Sequence, residues 1–130
     1  MAQFRTDARD GTYSLARATA ERWLPGDEER SIVARRRALE MTRACALEGY
    51  VTCADAIRDY DYTPQLREVD SRVMVVIGSR DSAVGPVEAL RRAAGKIPRC
   101  EFVVMDGVGH LPPVHDELRF EEMMVEFLKT

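Results

Sequence analysis

The chain reads as an α/β protein: a helical segment followed by two parallel strand–helix units. Three observations carry this expectation. Residues 1–63 place apolar side chains at helical spacing and contain no strand-like run, whereas residues 64–130 alternate short β-branched runs with helix-length segments. The runs VMVVIG (73–78) and FVVM (102–105) are continuously apolar, the pattern of parallel strands covered on both faces. Each run then ends in a loop with a chemically competent residue, Asp81 after the first and His110 after the second.

Taken in order, TYSLARATAERWL carries Leu15, Ala16, Thr19, Ala20, Trp23 and Leu24 on one helical stripe, and Pro25-Gly26 ends it. Asp27 is a candidate cap for a second helix over 28–44, with Ile32, Val33 and Leu39 as its apolar positions. A third helix in EGYVTCADAIRDY puts Tyr50, Cys53, Ala54 and Ile57 on one stripe. Between the two strands, Pro86 suits a first helical position, and Val87, Leu90, Ala94 and Ile97 form a stripe before Pro98. A last helix over 116–129 repeats apolar residues at Phe120, Met123, Met124, Phe127 and Leu128. The expected division is a helical segment at 1–63 and a strand–helix–strand–helix unit at 64–130.

Composition narrows the function classes. At 130 residues, 45% hydrophobic and 32% charged, the chain has the balance of one globular domain. A formal charge of −3 offers no basic surface for nucleic acid, and no apolar stretch approaches the roughly 20 residues of a membrane helix. The three cysteines, Cys45, Cys53 and Cys100, lack metal or disulfide spacing and read as small buried hydrophobes in a reducing, cytoplasmic setting. Arg35-Arg36-Arg37 reads as a solvated helix face, and His115 as an exposed residue. No glycine pattern cradles a dinucleotide or phosphate and no His or acidic cluster proposes a metal, so no cofactor is expected.

Asp81 and His110 are the candidate catalytic pair. At the carboxyl ends of parallel strands, loops project functional groups from a rigid scaffold. An acid there fixes the tautomer of an imidazole, which takes a proton from a nucleophile and returns it to a leaving group. Gly107 and Gly109 let the backbone bend so that His110 reaches back over the strand ends. Two apolar strands are too few for a stable open sheet, so further strands are expected from a complementary N-terminal half or a second copy.

The run V-x-V-I-G-S-R-D-S-x-x-x-P, followed by I-P-x-x-x-F-V-V-x-x-G-V-G-H-L-P, resembles the C-terminal end of the α/β-hydrolase superfamily. R-D-G at 9–11, A-E-R-W-L at 20–24 and E-G-Y-V-T-C-A-D-A-I-R-D-Y-D at 48–61 resemble the cap and linker of 3-oxoadipate enol-lactonases. The resemblance implies the C-terminal portion of an α/β-hydrolase fold, with 1–63 as the helical cap. It makes Asp81 the catalytic acid, His110 the catalytic base and Arg22-Trp23 a substrate-facing pair, the arginine suited to a carboxylate. The implied substrate is a small carboxylic ester or lactone.

The sequence departs from that pattern in respects that matter: the early strand with its H-G oxyanion-hole loop is not found in it, and neither is the nucleophile. No G-x-S-x-G elbow occurs, and Ser14, Ser31, Ser71, Ser79 and Ser82 lack its glycine-flanked context. His115 and Glu117 also stand where the family shows Glu and Pro, which bears on the start of the final helix. The expected activity is therefore that of half a serine-type hydrolase, inactive alone. The alternative is a non-catalytic module that self-associates, as a homodimer, through its strand edge.

Overall fold

The computed structural model describes residues 11–43 and 45–129. The polar lead-in, and Arg9 and Asp10 of the expected R-D-G motif, lie outside the described residues. Three helices come first: α1 (Gly11–Trp23), α2 (Glu29–Arg43) and α3 (Leu47–Ala56). A 3-10 turn at Thr63–Glu68 leads into β1 (Val73–Gly78), α4 (Val87–Ala94) and β2 (Cys100–Met105). A short α5 (Pro112–His115) and α6 (Glu117–Lys129) complete the order.

The strands pair in parallel, Val73 opposite Cys100 through Gly78 opposite Met105. Arg91 of α4 stacks over Phe102, 4.5 Å from the ring centroid, so α4 covers that face. On the other face, Arg72, Met74, Glu101 and Val103 share a groove with Met123 and Phe127 of α6. Helices on both faces explain why both runs are continuously apolar.

Packing within the helical segment turns on small residues. Ala16 and Ala20 of α1 and Ala34 and Ala38 of α2 are buried, and Leu24 is fully enclosed beside them. Alanines four apart on facing helices let the two backbones approach closely. Ile32 and Val33, expected on the buried stripe of α2, are instead 45% and 42% exposed. The physical reason is rotation of the helix toward its narrower, alanine-lined face.

Other expectations shift as well. Glu28, not Asp27, takes the cap position of α2, since its carbonyl accepts the Ile32 amide at 3.1 Å. Pro86 caps α4 from outside, one residue before its first turn. The stripe on α3 is largely exposed, Tyr50, Cys53 and Ile57 included. Cys45 and Cys53 are exposed and Cys100 half-buried, so none is a core residue. Leu128 also faces outward. Among the described residues no helix is long and apolar enough to cross a membrane.

Candidate active site

Both strand-end loops are shaped by close backbone approach. A methyl on Gly78 would overlap the carbonyl oxygens of Val108 and Gly109, so only glycine lets the second loop lie across the end of β1. Gly107 turns that loop with φ +73°, the left-handed region that favours glycine. The Ser79 amide donates to the Met105 carbonyl and the Arg80 amide to the Val108 carbonyl, each at 2.9 Å. Ser79 Oγ donates to Asp106 at 3.0 Å and accepts the Gly107 amide at 2.9 Å.

Asp81 and His110 meet on this scaffold. His110 Nδ1 lies 2.9 Å from Asp81 Oδ2, with the aspartate side chain 4% and the histidine 23% exposed. A carboxylate only accepts, so the proton of this bond sits on Nδ1, and in the neutral ring the lone pair is then on Nε2. The other aspartate oxygen accepts the Ala83 amide at 2.7 Å, which fixes the carboxylate plane.

The C-terminal end of α1 closes over the pair. The His110 amide donates to the Trp23 carbonyl at 2.6 Å, and the Trp23 ring sits 5.2 Å from the imidazole, tilted by 48°. Gly109 has no room for a side chain against the Trp23 carbonyl and the Pro25 ring. Behind Trp23 opens an apolar cavity of about 370 Å³ lined by Leu15, Thr19, Arg22, Met41, Tyr50 and Leu111, among others. Arg22 is an exposed side chain on its rim and forms no ion pair among the described residues.

The helical segment is tied to the loops and α5 by charge. Arg80 bonds Glu28 at 2.8 Å and Arg30 bonds Asp116 at 2.9 Å. The Glu28 carboxyl is held at about 2, chiefly by a backbone hydrogen bond. Arg35 is no solvated charge: its guanidinium donates to the Leu24 carbonyl at 2.8 Å and the Gly26 carbonyl at 2.5 Å, satisfying the end of α1.

His115, expected at the surface, is 2% exposed, and Ser31 is fully buried against it. Their atoms lie 2.7 Å apart, Oγ to Nε2. This is the spacing of a nucleophile and its base, yet the directions are wrong. Nδ1 of His115 accepts the Gly109 amide at 2.7 Å, so the ring proton is on Nε2 and points at Ser31. Ser31 in turn donates to the Pro25 carbonyl at 3.1 Å. A signal was present in the sequence: Ser31, Ala34 and Ala38 share one α2 face, and a buried hydroxyl there needs a polar partner. Of the other serines, Ser14, Ser71, Ser79 and Ser82 are exposed, and Ser82 donates to the Arg22 carbonyl at 3.4 Å. No group of described residues has the make-up of a metal site.

Known proteins share the fold that carries these residues. No family model matches the chain. It is 36% identical over 92 residues to the non-heme chloroperoxidase CPO-A1 of Kitasatospora aureofaciens, a match covering 68% of this chain and 33% of that protein. The enol-lactonase from Burkholderia xenovorans LB400 superposes with a TM-score of 0.81 at 25% identity, over 94% of this chain and 46% of that one. An esterase from Exiguobacterium antarcticum follows the same fold with a TM-score of 0.78 at 19% identity, over 91% of this chain and 43% of the esterase. The chain is thus an α/β-hydrolase by fold, carrying the C-terminal portion of that superfamily's architecture. It spans a third of the chloroperoxidase and just under half of the enol-lactonase.

Proposed function

We propose that the chain supplies the acid–base half of a serine-type hydrolase that opens a small carboxylic ester or lactone, of the 3-oxoadipate enol-lactonase type. One observation carries this reading: the His110–Asp81 hydrogen bond engages Nδ1, so that in the neutral ring Nε2 is the basic nitrogen. A serine from a complementary N-terminal half attacks the substrate carbonyl, and Nε2 takes its proton. The tetrahedral intermediate collapses as His110 returns that proton to the leaving oxygen. Water then attacks the acyl-enzyme by the same route, giving the free acid and restoring the serine. Asp81 holds the tautomer and stabilises the imidazolium.

Arg22 and Trp23 are the proposed substrate contacts. The cavity beyond Trp23 is mainly apolar with one guanidinium at its rim, which supports a ligand with an apolar body and one carboxylate.

The test is hydrolysis of 3-oxoadipate enol-lactone by the purified chain, alone and mixed with the nucleophile-bearing half of an enol-lactonase. Alone, the chain gives no turnover. The mixture hydrolyses the lactone, and Asp81→Asn lowers its kcat by on the order of 10⁴. Arg22→Ala chiefly raises KM for an acidic lactone and leaves a neutral ester unaffected. Turnover by the isolated chain, abolished by Asp81→Asn, would place a nucleophile inside it and overturn the two-part reading.

The self-associating module is the second reading, and the sheet favours it. Among the described residues β1 and β2 pair only with each other, so each keeps an outer edge without a strand partner. Sedimentation decides: a stable two-fold dimer with no complementation supports the module.

A further inference from the structure

His115 is bonded at both ring nitrogens inside the protein. The Gly109 amide donates to Nδ1, Nε2–H donates to Ser31, and the Ser31 hydroxyl donates to the Pro25 carbonyl. A backbone amide can only donate, so every link runs one way, from the loop after β2 through α5 and α2 to the turn after α1. Gly109 immediately precedes His110, whose own amide is fixed to Trp23. Two consecutive amides are therefore held, one by a backbone carbonyl and one by an imidazole.

We propose that His115 is the positioning residue of the His110 loop, acting through its bare Nδ1, which fixes the backbone from which His110 reaches Asp81. It touches no substrate. A second proton on the ring would sit on Nδ1 and face the Gly109 N–H, donor against donor, so the charged form releases the loop. The groups around it are mixed. Burial pushes the imidazole below its ordinary 6.5; Arg30 of α2 and Arg80 of the first loop add to this, while Glu28 before α2 and Asp116 after α5 oppose it. Each arginine is paired to one of those acids, which limits both effects. With the folded-state value depressed, the anchor is complete above pH 6.5 and is lost as pH falls through the folded-state value.

The proposal rests on the hydrolase reading only for the role of His110, and its test needs no turnover. On the full chain, imidazole ¹⁵N shifts report the His115 tautomer and amide exchange reports the anchor at Gly109. The expected result is the Nε2–H tautomer, with Gly109 protected above pH 6.5 and progressively less so in acid, beyond the intrinsic pH trend. His115→Gln offers an acceptor and a donor without titrating, so it retains protection and removes the acid-dependent loss. His115→Phe keeps the bulk and removes the acceptor, and Gly109 exchange rises at least about tenfold. An Nδ1–H tautomer overturns the proposal, as does a Gln variant whose protection falls in acid like the parent's. The Gln comparison decides the matter even where the Phe variant fails to fold. Failure of the hydrolase assay leaves these outcomes unchanged.

Discussion

Gly78 and Gly109 show at the level of single residues how little freedom the proposed site has. Each sits where a methyl would overlap a backbone oxygen, Val108 or Gly109 in one case and Trp23 in the other. Gly78→Ala is expected to destabilise the fold by about 2 kcal/mol or more, read from urea unfolding, because the clash is with backbone rather than a movable side chain. Position relative to the strands made Asp81 and His110 legible, since a loop at the carboxyl end of a parallel strand projects its side chains together. Burial of His115 was not legible. Its two partners, the Gly109 amide and Ser31, come from a backbone group and a helix distant in sequence, and neither leaves a pattern around residue 115. Titration carries its own expectation here: stability falls with pH below 6.5 in the parent chain, and His115→Gln removes that part of the slope in urea midpoints.

Among the elements, α1 and α2 pack through small buried residues. Leu24 is fully enclosed at the end of α1, beside Ala34 and Ala38. Leu24→Ala should cost about 2–5 kcal/mol, and Ala34→Leu about 1–3 kcal/mol by forcing the helices apart, both measurable by denaturant unfolding. The helical periods of both segments were readable, and element boundaries fell close to expectation. The buried face of α2 was not, because hydrophobicity selects Ile32 and Val33 while close helix approach selects alanine and Ser31. The stripe on α3 makes the complementary point. Periodicity marks a face that can be buried, and another element must arrive to bury it.

For the whole molecule, two parallel strands with helices on both faces carry the loops, and the outer edges of the sheet remain open among the described residues. Apolar side chains such as Ile57, Leu118 and Leu128 are more than half exposed as well. If a complementary half completes the sheet, mixing it with the chain should yield a one-to-one complex in sedimentation, with edge-strand amides newly protected from exchange. A dimer of the chain alone would instead support the self-associating module. The sequence by itself determined the order of helices and strands, the parallel pairing and the loops that bear Asp81 and His110, because these follow from local periodicity and from the chain direction at strand ends. Only the tertiary structure decided which helix face is buried, how Trp23 closes over His110 and which ring nitrogen of His115 is bare. Those depend on where distant backbone donors and acceptors meet, and contacts between segments far apart in sequence leave no local pattern to read.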